Sequence, residues 1–195
     1  MKIKELFDYA LREHKKVIDG LEAFYPVIEE IASQMSETIK RGNKIMLCGN
    51  GGSAADAQHI ATEFIVRFRG DFNRRSLPAI ALTTDTSLLT ACANDYGYDE
   101  IFKRQIEGLG NEGDLLIGIS TSGNSENVFK ALEYANEQNI NTVLLAGRDG
   151  GKIAKIARYS IIIPHKDTAR VQEAHITVGH ILCRLTEELI FIINQ

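Results

Sequence analysis

His59 and Glu63 stand four residues apart and Arg67 four further on, so a helix there lines an imidazole, a carboxylate and a guanidinium along one face. Near the other end of the chain, Gln172, His175 and His180 fall within nine residues. Such groups, brought together from two helices, suffice to hold a borderline metal such as zinc or to move protons on a substrate. A lone helical histidine is more often packed or solvated than functional, so the argument rests on convergence. Geometry restrains it: eight helical residues separate Gln172 from His180 by about 12 Å along the axis. One straight helix brings both side chains to a single metal only by long reach, a difficulty that a break in the helix or a second chain would relieve.

Two loops carry a different chemistry. Ser120-Thr121-Ser122-Gly123-Asn124-Ser125 offers four hydroxyls in six residues, just before a helical pattern. Backbone N–H groups and the helix dipole hold anions at such a place without Lys or Arg, and a phosphate ester is the natural occupant. A simple N-cap needs only one of those hydroxyls. The earlier loop, Gly49-Asn50-Gly51-Gly52-Ser53-Ala54, formally matches a dinucleotide fingerprint. That reading expects an acid at the end of the next strand about 20 residues later. Here residues 63–78 are helix and basic loop, and the next strand ends only at Leu82-Thr83-Thr84-Asp85, which speaks against a nicotinamide cofactor.

These residues must be positioned by a regular frame. Phe24, Val27, Ile28, Ile31, Met35 and Ile39 recur at helical spacing over 21–40, with Gly42 as a stop, and a weaker helix over 3–19 precedes them. Beyond Gly42, short apolar runs at 44–48, 78–82, 114–119, 141–146 and 159–163 alternate with helical patterns near 53–66, 86–94 with 100–108, 125–138 and 151–157. Five such runs predict an α/β fold: a five-stranded parallel sheet flanked by helices, preceded by two N-terminal helices. With the common strand order 2-1-3-4-5, the two unusual loops leave the strands on either side of the order reversal, where open α/β sheets bind ligands. The expected organisation is a helical pair at 1–42 and a ligand-binding domain at 43–195, folded as one unit. The last helix, about 168–193, carries Ile181, Leu182, Leu185, Leu189, Ile190 and Phe191 around much of its circumference, which predicts burial against another subunit, with Leu185 and Leu189 facing outward.

The chain has 195 residues, 44% hydrophobic and 25% charged, with 16 Gly and 3 Pro. That is room for one substantial core and excludes disordered and collagen-like classes. A formal net charge of −4 gives no general basic field, so neither a nucleic acid nor a membrane is expected as a partner. Cys48, Cys92 and Cys183 have no metal-type spacing and read as reduced, packed thiols. The N-terminal segment lacks the apolar core of a signal peptide, and no apolar run approaches the roughly 18 residues of a membrane span, so a cytoplasmic location is expected.

Taken together, Cys48 to Ser53, His59, Glu63, Asn94, Asp95, the 120–125 loop, the segment Thr168-Ala169-Arg170-Val171-Gln172-Glu173, His175 and His180 resemble the bacterial phosphoheptose isomerases of the sugar isomerase superfamily. The resemblance spans essentially the whole chain. It implies conversion of sedoheptulose 7-phosphate to D-glycero-D-manno-heptose 7-phosphate, the first step toward the ADP-heptose of lipopolysaccharide core or capsule. It also implies zinc held by residues matching His59, Glu63, Gln172 and His180, and a homotetramer with sites near subunit interfaces. Sugar or phosphate contacts are implied at Asn50, Gly51, Gly52, Ser53, Glu63, Asn94, Asp95, Ser120, Thr121, Ser122, Ser125 and Gln172. An aldose–ketose shift needs a carboxylate base and a general acid; Glu63 and His180 take these roles, with Asp95 and Arg67 behind them. A non-catalytic relative that binds the replication initiator DnaA is the alternative. It lacks the Glu and the late His matching Glu63 and His180, and carries Arg where this chain has Ser122. Ala169 stands where some isomerases of the family have Asp, and no role is carried to it.

Overall fold

A computed structural model describes residues 2–193. Two helices, α1 (Ile3–Asp19) and α2 (Tyr25–Lys40), lead into β1 (Ile45–Gly49), α3 (Gly52–Ile65), β2 (Ala79–Ala81), α4 (Thr86–Asp95), α5 (Lys103–Leu109), β3 (Leu115–Ser120), α6 (Glu126–Glu137), β4 (Asn141–Gly147), β5 (Tyr159–Ile163) and α7 (Thr168–Phe191). The strands form one parallel sheet in the order β2-β1-β3-β4-β5, as the alternating pattern predicts.

Both faces of the sheet are covered, which is why the strands read as continuous apolar runs. Side chains alternate across the pleat. Ile45, Leu47, Leu115, Ile117, Val143 and Leu145 pack into a core with α2, α3 and α7. Met46, Cys48, Leu116, Leu144 and Ala146 enter a second core, which includes Ile106 of α5 and Val128 and Leu132 of α6. The three cysteines are buried and unpaired. Burial pushes the Cys48 thiol up to about 12 and raises Cys183 as well, so neither is a ready nucleophile.

Three local readings change. Residues 20–24 form a 3-10 turn, and α2 begins at Tyr25 with Pro26 in its first turn, where a missing N–H costs nothing. The segment 151–157 yields only a 3-10 turn, Ile153–Lys155, because Gly150 and Gly151 form a tight turn at positive φ before it. Leu185 and Leu189 are not outward-facing: both pack, partly buried, against the core containing α2. The expectation allowed α7 only a sheet face, whereas the N-terminal helices supply the extra cover. Thr186 Oγ1 of α7 reaches Met35 Sδ of α2, and Arg170 donates to the Ala10 carbonyl of α1 at 2.8 Å. Apolar exposure falls instead on α1, at Ile3, Leu6 and Phe7, and on Ile181, Ile192 and Ile193. Among the described residues no helix is long and apolar enough to cross a membrane.

Candidate active site at the seam of α3 and α7

The glycine turn after β1 launches α3, and α7 lies alongside. The approach is close at two levels: a Cβ on Gly52 would run into the Gln172 amide, and one on Gly179 into the Ile60 side chain. Matching levels along the two helices therefore bring the α3 residues His59 and Glu63 to the α7 residue His180. The His59 and His180 Nε2 atoms stand 2.9 Å apart, and His59 Nε2 lies 3.3 Å from Glu63 Oε1. With both rings neutral, one nitrogen donates and the other accepts. Phe68 packs beside His180, its ring centroid 5.8 Å away. Glu63 and His180 are half-buried while His59 is exposed, so the cluster opens to solvent on one side.

One ligand atom from each of these three residues falls within 4.8 Å of the others. Two imidazole nitrogens and a carboxylate oxygen at that spacing form a donor set suited to holding a metal ion. The unbroken α7 leaves Gln172 at Gly52, seven helical residues, or about 10 Å, along α3 from His59. Within one chain Gln172 thus belongs to the glycine turn rather than to the His–Glu–His cluster. His175 also lies apart from the cluster. It is fully buried with Nε2 3.1 Å from the Ala146 carbonyl, and desolvation pulls its pKa down to about 4. Its place is the packing of α7 on β4.

Two residues not singled out from the sequence hold the cluster in register. Arg74, almost wholly buried, donates to the Glu63 and Phe64 carbonyls at 2.8 and 2.9 Å, capping the last turn of α3. Its Nε meets Glu187 of α7 at 2.6 Å, and Arg69 meets the other Glu187 oxygen at 3.2 Å. The sequence signal was present: Glu187 is a charge within the apolar half of α7. Asp56, one turn before His59, is a second omission; burial raises its carboxyl pKa, with His59 opposing the shift.

The two loops face each other across the reversal of strand order. Asn50 and Asn127 exchange amide hydrogen bonds of 2.9 Å, and the Tyr98 hydroxyl donates to Asn50 Oδ1 at 2.9 Å. Its side chain therefore fixes the turn from below. In the other loop Ser120 and Ser125 hydroxyls pair at 2.9 Å, and Ser122 Oγ accepts from the Asn124 N–H at 3.1 Å. Ser125 occupies the N-cap of α6 without making a side-chain cap bond, which leaves that helix's first N–H groups for an anion. Gly123 has φ +66, and a Cβ there would strike the Gly150 carbonyl, so only glycine folds this turn against the next loop. Ser53 is buried in the first turn of α3, and Thr121 is half-buried beside Ser120. Asn94 and Asp95 bond each other at 2.7 Å at the exposed end of α4, just before Tyr98. Arg67 is exposed and has no partner among the described residues.

Comparison with known proteins agrees with this geometry. Residues 11–147 match the SIS domain model. The phosphoheptose isomerase of Aneurinibacillus thermoaerophilus is 55% identical over 177 residues, covering 91% of this chain and 88% of the relative. That of Aquifex aeolicus is 51% identical over 190 residues, covering 97% and 96%. The structure of phosphoheptose isomerase GmhA from Neisseria gonorrhoeae superposes with a TM-score of 0.89 at 41% identity, over 96% of this chain and all of the other. A full-length match at this identity, with the glycine turn, the hydroxyl-rich loop and the His–Glu–His seam all in place, means that the chain belongs to the phosphoheptose isomerases of the SIS-domain family.

Proposed function

We propose that the protein is an aldose–ketose isomerase that converts sedoheptulose 7-phosphate to D-glycero-D-manno-heptose 7-phosphate. The observation that carries this reading is the meeting of Glu63 and His180 at one half-buried point, on helices that also anchor the glycine turn. The phosphate end is assigned to Ser120, Thr121, Ser122 and Ser125 with the N–H groups opening α6. The sugar is assigned to Asn50, Gly51, Gly52, Ser53, Asn94, Asp95 and Gln172. Asn50 acts through its backbone, because its side chain is engaged with Asn127 and Tyr98.

The reaction moves one proton between carbons and one between oxygens. Glu63 removes a proton from C1 of the ketose; the C1–H electron pair becomes the C1–C2 double bond of an enediol, and O2 takes a proton from His180. Return of the carbon-bound proton to C2, with loss of the O1 proton to the imidazole, leaves the C1 aldehyde and restores both side chains.

Zinc is the metal we assign to the seam, held by His59, Glu63 and His180, with Gln172 of another chain as the fourth ligand that the family resemblance implies. Bound there, the ion would polarise the substrate carbonyl. A homotetramer is inferred from the exposed apolar residues of α1 and from the family. In this reading residues 1–42 pack on the 43–195 core and on partner subunits. The product feeds ADP-heptose synthesis for lipopolysaccharide or capsule in the cytoplasm. The DnaA-binding alternative finds no support, since the relatives named above are isomerases and both discriminating residues are present.

The test is incubation of the purified, zinc-supplemented protein with sedoheptulose 7-phosphate, coupled to a heptose 7-phosphate kinase that drains the product. Sustained turnover is expected. Absence of turnover by correctly folded protein contradicts the assignment.

A further inference from the structure

Beside the hydroxyl-rich loop lies a cavity of about 710 Å³, between the turns that follow β4 and β5. Ser122 and Asn124 form one wall; Arg148, Asp149, His165 and Lys166 line the rest. Three features set Arg148 and Lys166 apart. Both are exposed, and among the described residues neither has an ion-pair or hydrogen-bond partner. Of the neighbouring charged groups among the described residues, Asp149 is held by a backbone N–H without a cationic partner, while the others are paired. Asp149 accepts from the Gly151 N–H at 3.1 Å, His165 Nε2 faces Glu13 at 3.5 Å, and Lys152 is paired with Glu126. Finally, Arg148 has φ +59, a conformation that a long L side chain adopts rarely and that glycine would adopt freely. A strained backbone position at the carboxyl end of β4 thus carries a charged side chain.

The hydroxyl loop itself supplies only neutral donors, in a chain of net charge −4 with a carboxylate at the nearby seam. A phosphate monoester arrives there as a dianion, and unpaired cations on the approach favour both its capture and its retention. The turn carrying Arg148 is fixed directly against the loop, since Gly123 abuts Gly150 and Gly151. We propose that Arg148 and Lys166 form the cationic rim of the phosphate subsite, drawing the phosphate end of the ligand in through this cavity and holding it against the 120–125 loop. The proposal rests on the phosphorylated substrate inferred above.

Inorganic phosphate is the probe. It is titrated calorimetrically into wild-type protein, Arg148→Gly, Lys166→Gln, the double variant and Arg148→Lys, at low and at moderate salt. Arg148→Gly removes the charge and relieves the backbone strain, so it should fold at least as well as wild type, which circular dichroism and melting verify. The double variant should bind phosphate about tenfold more weakly at low salt, with a flatter salt dependence, and Arg148→Lys should retain most of the affinity. In the isomerase assay the same loss should fall on KM rather than kcat. A folded double variant that binds phosphate with wild-type affinity and salt dependence overturns the proposal. Because the titration needs no turnover, a wrong substrate assignment shows as an inactive wild type that still binds phosphate through the rim.

Discussion

His175 illustrates how a burial pattern at one residue becomes a property of the whole fold. Desolvation holds its pKa near 4, against 6.5 for a free imidazole, while the Ala146 carbonyl opposes the shift. Between those two values the unfolded chain takes up a proton that the folded chain refuses. The stabilisation is therefore complete above about pH 6.5 and is lost as pH falls toward 4, at a scale of roughly 3 kcal/mol. Urea unfolding of wild type and His175→Gln across this range should show a steeper pH dependence for wild type; equal slopes would remove the histidine from the account. The sequence placed His175 between Gln172 and His180 as one more candidate ligand. What it could not supply was rotation about the helix axis: three residues from Gln172 and five from His180, His175 turns toward β4. His59, Glu63 and His180 were legible because the i, i+4 spacing and the superfamily pattern concern those very positions.

At the scale of elements, the chemistry depends on α3 and α7 holding a fixed relation, and the buried Arg74–Glu187 pair is the clamp. Arg74→Leu leaves Glu187 buried without its shorter ion pair and should cost about 3–5 kcal/mol in chemical denaturation, whereas Arg74→Leu combined with Glu187→Leu should recover much of that loss. A single variant as stable as wild type would mean the clamp is dispensable. The hydroxyl loop makes a separate prediction. Ser120→Ala and Ser122→Ala should weaken substrate and inorganic phosphate together, each by about 1.5–3 kcal/mol, as read by KM and by phosphate inhibition. Unchanged affinity for both ligands would reduce the loop to a turn. Strands and major helices followed from the alternation of apolar runs with helical periods. The clamp did not, because residues 67–75 have no period and their partners lie more than a hundred positions away on α7.

For the whole molecule, the separation of Gln172 and His180 on one helix pointed to subunit association as what completes the cluster. The structure brings Glu63 and His180 together within a single chain. Mixed oligomers of Glu63→Gln and His180→Gln chains should consequently stay inactive, and regained activity would show that the pair is shared. Association itself falls to other residues: Ile3 is 87% and Phe7 62% exposed on α1, while Leu185 and Leu189 are occupied within their own core. Phe7→Glu should accordingly lower oligomer mass in light scattering, whereas a wild-type mass would move the interface elsewhere. The apolar circumference of α7 was correctly read as needing cover. Its source was misread because α2 reaches it across a separation of about 150 residues, which no local pattern encodes.

The central claim is that Glu63 is the base that moves the carbon-bound proton. Isomerisation of sedoheptulose 7-phosphate in deuterium oxide, followed by proton NMR, tests it most directly, because an enediol returned to the aldose takes solvent deuterium at C2. Wild-type protein should incorporate deuterium as it turns over, and folded Glu63→Gln should lose both exchange and turnover by about 10²–10⁴-fold. Exchange by Glu63→Gln at the wild-type rate would contradict the account.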